Sequence, residues 1–297
     1  MRIINLIENT EGANGCAFAH GLSFYIETAS NKALVDLGPS EETLANASKL
    51  GIELSNVDTV ILSHGHYDHS GGIMPFSKIN DSAKIYMQKT AVEDYYADDG
   101  IVPNAERYRF IGIDKEIAKL PGAVFLDGDF RIDDELEIFT VKDKKHAIPF
   151  TNKRLLRKDG NGFVSDTFDH EQYLVIRSEG RSILVSGCAH IGILNIMDAY
   201  FGKYNSYPDM AVSGFHLMKR TPYHNAQIKE IEDIARMLKQ YPTLFITCHC
   251  TGLEAFDIMK DIMGDQLGYV HSGDEVITLF QQHKRRLYTW TSPDSQK

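Results

Sequence analysis

The chain has 297 residues, of which 43% are hydrophobic and 24% are charged, a composition typical of a globular enzyme. The formal net charge of -10 argues against a broadly basic surface, so we expect no nucleic-acid partner. No apolar run approaches the roughly 18 residues of a membrane span, and the first residues lack the pattern of a signal peptide. Four scattered cysteines favour a reducing compartment, and we expect a cytoplasmic protein.

Short strands alternate with helices along most of the chain. Apolar, β-branched and aromatic runs predict strands at residues 3–9, 22–28, 32–38, 57–64, 83–88, 209–217 and 243–252, a strand pair at 123–141 and a hairpin at 172–187. Helical spacing and end signals predict helices at residues 40–51, 89–97, 193–200, 224–241 and 253–264. This order predicts a single α/β domain over residues 1–297 with functional groups at strand ends, closed by a polar tail at 288–297.

The least regular segment, residues 142–166, is basic and carries eight Lys, Arg or His residues. A solvated loop of this kind needs no function, but its length also suits a lid over an active site. As a lid it would meet an anionic substrate through Arg154, Arg157 and Lys158, because guanidinium and ammonium groups bind phosphate.

The stretch VILSHGHYDHSGG, residues 60–72, places four ligand-type side chains directly after a buried strand. His64, His66, Asp68 and His69 are residue types that bind zinc or iron-type ions. A polar turn whose histidines merely form hydrogen bonds would rarely combine all four. The stretch therefore predicts two pairs of ligands for two adjacent metal positions.

The motif SHGHYDHSGG resembles the H-x-H-x-D-H signature of the metallo-β-lactamase superfamily. The segments AHGLSFYIE, ALVDLG, SGCAHIGILNIM, SGFHL and CHCTG also occur in the order seen in one branch, that of an archaeal 7,8-dihydropterin-6-methyl-4-(β-D-ribofuranosyl)aminobenzene-5'-phosphate synthase. The resemblance extends over residues 3–280 and implies an αββα four-layer sandwich. It also implies one or two metal ions at the edge of the sheets, zinc first and iron or manganese as alternatives.

Further ligands must come from the later histidines. His190 and His249 each follow a predicted core strand directly, as His64 does, and we expect both to bind metal. For His190 the alternative is a histidine at a helix start that hydrogen-bonds to backbone. Cys188 stands where much of the superfamily carries a bridging acidic residue. It is either a thiolate ligand or a buried structural thiol, and the choice bears on the second metal position.

Other side chains are assigned to the surroundings of the metal. His216 is expected to face the substrate or to support a ligand, with a hydrogen-bonded core histidine as the alternative. His20 either faces the site from the N-terminal loop or is an ordinary loop histidine, and Asp36 is expected to orient a ligand. Cys248 and Cys250 are expected to face away from the metal. Five histidines are predicted to be surface or loop residues: His146, His170, His224, His271 and His283.

These residues predict metal-assisted hydrolysis of an ester-type bond. Asp68 would bind metal and orient the attacking water, and His216 or a second water would protonate the leaving group. The expected substrate is a small anionic molecule, phosphorylated and pterin- or nucleotide-like. Hydrolysis of a lactone or thioester would use the same site, and a metal or ligand sensor without turnover is a further alternative. The oligomeric state stays open.

Overall fold

The first sheet contains six strands from the N-terminal part of the chain. In spatial order they are β1 (Arg2–Ile7), β2 (Ser23–Glu27), β3 (Lys32–Val35), β4 (Thr59–Ile61), β5 (Lys84–Gln88) and β8 (Ala123–Leu126). Strands β1 to β3 are antiparallel, whereas β3, β4, β5 and β8 run parallel. Parallel neighbours need crossover connections, and three helices lie in these: α1 (Glu42–Lys49), α2 (Tyr67–Ser70) and α3 (Ile73–Ser77).

The second sheet contains seven strands from the C-terminal part. In spatial order they are β17 (Leu267–Tyr269), β16 (Leu244–Thr247), β15 (Met210–Ser213), β14 (Arg181–Val185), β13 (Tyr173–Ser178), β10 (Leu136–Phe139) and β9 (Phe130–Arg131). The connections carry α4 (Ile193–Tyr204), α5 (Asn225–Leu238) and α6 (Leu253–Met263). The hairpin predicted at residues 172–187 is confirmed, with Glu179 and Gly180 supplying the left-handed turn.

The two sheets pack face to face and are covered by helices on their outer sides, in the computed structural model of residues 1–101 and 106–276. One apolar cluster lies between the sheets, where Phe24 and Val35 meet Leu174 and Val212. A second lies under α1 and α3, and a third under α4, α5 and α6. These layers confirm the αββα sandwich. Within the described ranges no helix is long and apolar enough to cross a lipid bilayer.

A third, four-stranded sheet corrects two of the sequence-based expectations. Its order is β12 (Gly162–Ser165), β11 (Leu155–Asp159), β6 (Tyr95–Asp98) and β7 (Tyr108–Phe110). The helix predicted at residues 89–97 is wrong beyond a single 3-10 turn, because alternate side chains of β6 are buried with a period of two. The irregular segment predicted at residues 142–166 is a 3-10 helix and a hairpin from residue 150 to residue 165.

The strand pair predicted at residues 123–141 is three strands in two sheets. Strand β8 closes the first sheet, while β9 and β10 form an antiparallel pair in the second. The chain crosses between the layers through the turn at residues 127–129, where Gly128 adopts a positive φ. The predicted tail at 288–297 and His283 lie outside the described residues.

Gly71, at the end of α2, is expected to tolerate no larger side chain. A Cβ at this position would lie 2.0 Å from the carbonyl oxygen of Pro39. We expect Gly71→Ala to lower the free energy of unfolding by about 1–3 kcal/mol, measured by chemical denaturation, because overpacking forces the backbones apart. Gly202→Ala is the matched control, since Gly202 in α4 has no heavy atom within 4 Å of that Cβ. Equal stability of the two variants would contradict this prediction.

Candidate metal centre

The predicted ligands come from loops that follow three strands. His64 and His66 lie between β4 and α2, and α2 itself carries Asp68 and His69. His190 follows β14, and His249 follows β16 in a short 3-10 turn. The two sheets therefore bring residues that are distant in sequence to one edge of the sandwich, where all six side chains are buried.

Three imidazoles form the first group. The Nε2 atoms of His64 and His190 lie 3.2 Å apart. One ring nitrogen from each of His64, His66 and His190 lies within 4.8 Å of the other two. The Nε2 atom of His66 is buried without a hydrogen-bond partner. Facing nitrogens and an unpartnered nitrogen in a buried site fit a shared cation, which accepts electron pairs from all three.

The protonation states of this first group suit metal binding. Burial and the neighbouring His69 lower the pKa of His64 well below its ordinary value. Burial and His170 lower the pKa of His66 to about 3. Burial likewise lowers the pKa of His190. All three rings are therefore neutral near pH 7, and the neutral ring is the form that binds metal.

A carboxylate and two imidazoles form the second group. Asp68 Oδ2 lies 3.5 Å from His249 Nε2 and 3.7 Å from His69 Nε2. Burial opposes ionisation of Asp68, but the nearby histidines prevail and keep its pKa well below the usual range. An ionised carboxylate beside two imidazoles supplies the donor set of a second transition-metal position.

Asp36 connects the two groups through hydrogen bonds. Its Oδ2 atom lies 2.6 Å from His69 Nδ1 and accepts a 2.7 Å hydrogen bond from the hydroxyl of Ser63. The Ser63 oxygen lies 2.8 Å from His64 Nδ1. Because the serine gives its proton to Asp36, His64 Nδ1 must donate, and each ring presents Nε2 to the centre. Asp36 thus orients one histidine of each group, which is the role expected for it.

The chain matches the sequence model of a known protein family. The sequence model of the metallo-β-lactamase superfamily matches residues 18–237. The chain belongs to the metallo-β-lactamase superfamily. This confirms the family expected from the histidine motif.

Relatives of this chain span nearly its whole length. An uncharacterised protein of Methanocaldococcus jannaschii is 27% identical over 271 residues, which are 89% of this chain and 96% of the relative. The 7,8-dihydropterin-6-methyl-4-(β-D-ribofuranosyl)-aminobenzene-5'-phosphate synthase of the same organism is 28% identical over 92% of this chain and 95% of its own. The crystal structure of Tm1679, a metal-dependent hydrolase of the β-lactamase superfamily, has a TM-score of 0.76 and 27% identity and covers 93% of this chain and 98% of Tm1679.

Cys188 lies beside the second group, at the place where the superfamily resemblance implies a bridging residue. Its Sγ atom is 3.2 Å from His69 Nε2, and burial raises the pKa of the thiol well above its ordinary value.

The expectation that Cys250 faces away from the metal is wrong. The Cys250 Sγ atom lies within 4.8 Å of the Cys188 Sγ atom and of a ring nitrogen of His249. Residues 249–251 form a 3-10 turn, which breaks the alternation of an extended strand. Cys248 does pack between the sheets.

His20 and His216 both lie next to predicted ligands. His20 Nε2 is 3.4 Å from Asp68 Oδ2, and its side chain is half exposed at the rim. The ring of His216 is 4.1 Å from that of His190, and its Nδ1 lies 2.8 Å from the hydroxyl of Thr151. Both histidines thus adjoin the predicted ligands.

The basic residues of the predicted lid have partners in the third sheet or next to its strands. Arg154 forms an ion pair with Asp99, and Arg157 forms one with Glu93 at 3.0 Å. The ammonium nitrogen of Lys158 lies 4.4 Å from the centre of an aromatic ring on β12. A phosphate contact would have to compete with these interactions, so the assignment of these residues to substrate binding stays a prediction.

The prediction that His170 is a surface or loop residue is wrong, because its side chain is fully buried. Its Nδ1 accepts a 2.9 Å hydrogen bond from the backbone nitrogen of Gly65, between the first two ligands. Its Nε2 lies 3.1 Å from Asp166 Oδ2. The sequence signal was its place just before a core strand. Of the other histidines assigned to the surface, His224 is exposed, while His146 and His271 are half-buried outside both groups.

Proposed function

We propose that this chain is a metal-dependent hydrolase that acts on an ester-type bond of a small, phosphorylated substrate. The observation that carries the proposal is the convergence of two buried donor groups, one of three imidazoles and one of a carboxylate with two imidazoles. The resemblance to Tm1679, a metal-dependent hydrolase, supports the same chemistry. Zinc suits this donor set best, and iron and manganese bind similar ligands.

The substrate class rests on different support. The relative at 28% identity is named a synthase of a pterin-containing phosphate, which favours a phosphorylated, pterin- or nucleotide-like molecule. A fold and a metal motif do not fix a reaction, so the synthase name does not transfer by itself.

All four cysteines are free thiols, which supports a reducing, cytoplasmic location.

Each residue has a distinct part in the proposed reaction. When bound, divalent ions would lower the pKa of a water and polarise the target oxygen. Asp68 orients the attacking water through its carboxylate. Thr151 donates its hydroxyl proton to the carbonyl oxygen of His216, so His216 Nδ1 donates to Thr151 and Nε2 is left as an acceptor. His216, or a second water, then passes the proton lost by the attacking water to the leaving oxygen.

A substrate panel tests the proposal. We expect zinc- or manganese-loaded protein to hydrolyse at least one phosphodiester or phosphomonoester, and metal-free protein to be inactive. Lactones and thioesters belong in the same panel, and turnover of these alone would replace the substrate class but keep the hydrolase. Metal content is measured in the same samples. Bound metal without turnover of any substrate would instead favour a sensor.

A further inference from the structure

Two predicted ligands, His190 and His249, are each held by the same set of three residue types. Around His190 the set is Asn152, Glu171 and Tyr173, which we name the first clamp. Around His249 it is Asn9, Glu8 and Tyr269, which we name the second clamp. The first clamp serves the three-imidazole group, and the second serves the group that contains Asp68.

The asparagine of each clamp holds both the ring and the backbone of its histidine. Asn152 Nδ2 donates to the carbonyl oxygen of His190 at 2.6 Å, and its Oδ1 lies 2.9 Å from His190 Nδ1. Asn9 Nδ2 donates to the carbonyl oxygen of His249 at 3.4 Å, and its Oδ1 lies 2.7 Å from His249 Nδ1. Because an amide oxygen only accepts, each ring must carry its proton on Nδ1. Nε2 is then the atom left for a metal.

The glutamate of each clamp holds the backbone at the point where the chain turns. Glu171 Oε1 accepts a 2.7 Å hydrogen bond from the backbone nitrogen of His190, and its Oε2 accepts one of 2.6 Å from the Tyr173 hydroxyl. Glu8 Oε2 accepts 2.9 and 3.0 Å hydrogen bonds from the backbone nitrogen of His249 and from the hydroxyl of Tyr269. Both carboxylates are buried.

The local backbone explains why such support is needed. His249 has a φ of 48°, and Ala189, which precedes His190, has a φ of 51°. Residues other than glycine occupy this left-handed region only when their surroundings fix them there. The second clamp also crosses the sandwich, because Glu8 and Asn9 follow β1 of the first sheet while His249 follows β16 of the second.

We propose that the two clamps are separate positioning devices, the first for the three-imidazole metal position and the second for the position that contains Asp68. This inference rests on the metal binding proposed above. It predicts that damage to one clamp weakens one metal position and leaves the other intact. A general contribution to folding would weaken both positions together.

Calorimetric and spectroscopic titration of the metal-free chain with Co²⁺ tests the inference. His190→Ala and His249→Ala identify which binding step belongs to which position. We expect Asn9→Leu to weaken the step that His249→Ala abolishes by about 10–100-fold, the range usual for partners that orient metal ligands, and to leave the other step unchanged. Asn152→Leu is expected to do the reverse.

Three controls separate positioning from folding. Asn9→Asp and Asn152→Asp keep an acceptor for the ring proton and should recover most of the affinity. Asn161→Leu, at an exposed hairpin turn, should change neither step. The melting temperature of each metal-free variant reports on the fold. Equal weakening of both steps, or no weakening, would overturn the proposed role of the clamps. A wild-type chain that binds fewer than two Co²⁺ ions would instead overturn the proposed metal centre.

Discussion

Asp68→Ala is expected to lower metal-dependent turnover by about 10²–10⁴-fold, the range found when a group that handles protons in catalysis is removed. The carboxylate lies within 3.7 Å of ring nitrogens from three histidines, so its loss removes a ligand of the second metal position and the group that orients water. The measurement is steady-state kinetics of the metal-loaded variant against the phosphate esters that the wild type turns over.

The control for this prediction is Asp81→Ala, which removes an exposed carboxylate and should leave turnover unchanged. Metal content of the same samples shows whether the loss follows one ion or both. Full activity of Asp68→Ala with metal bound would contradict the assigned role.

Asp36→Ala is expected to have the largest effect on stability. Asp36 is fully buried, adopts a φ of 60° and accepts hydrogen bonds from the backbone and hydroxyl of Ser63, each 2.7 Å long. Its carboxylate also lies 2.6 Å from His69 Nδ1. Removing this buried acceptor leaves the donors of Ser63 and His69 unsatisfied, and we expect a loss of about 3–5 kcal/mol in the free energy of unfolding, since each unsatisfied buried group costs about 1–3 kcal/mol.

The same variant should lose affinity at both metal positions, because Asp36 orients His69 directly and His64 through Ser63. Chemical denaturation with and without metal measures both effects. Asp36→Asn keeps the side-chain shape and tolerates the left-handed backbone, so its loss of stability should be smaller. A change of less than about 1 kcal/mol in Asp36→Ala would show that water replaces these contacts at little cost.

Much of the centre is predictable from the sequence because metal ligands follow buried strands. His64, His190 and His249 share that position, and the structure places His64 and His190 in the first group and His249 in the second, beside Asp68. The parallel arrangement of neighbouring strands directs their ends to one edge of the fold, so contact in space follows from place in the chain. The same reasoning places Asp36 at the end of β3.

Other contacts depend on tertiary packing that carries no local signal. Glu8 and His249 are 241 residues apart and meet only because the first sheet stacks on the second. Cys250 turns toward Cys188 because a 3-10 turn interrupts the strand pattern. The end of the helix predicted at residues 89–97 is strand β6 instead, because β11 pairs with it, which a local propensity does not anticipate.

The central claim is that six residues from both halves of the sandwich hold two metal ions. Anomalous diffraction from zinc-loaded crystals, recorded at the zinc edge, tests it most directly. The predicted result is two peaks, one among the Nε2 atoms of His64, His66 and His190 and one beside Asp68, His69 and His249. Zinc-loaded crystals without a peak at either position would contradict the claim.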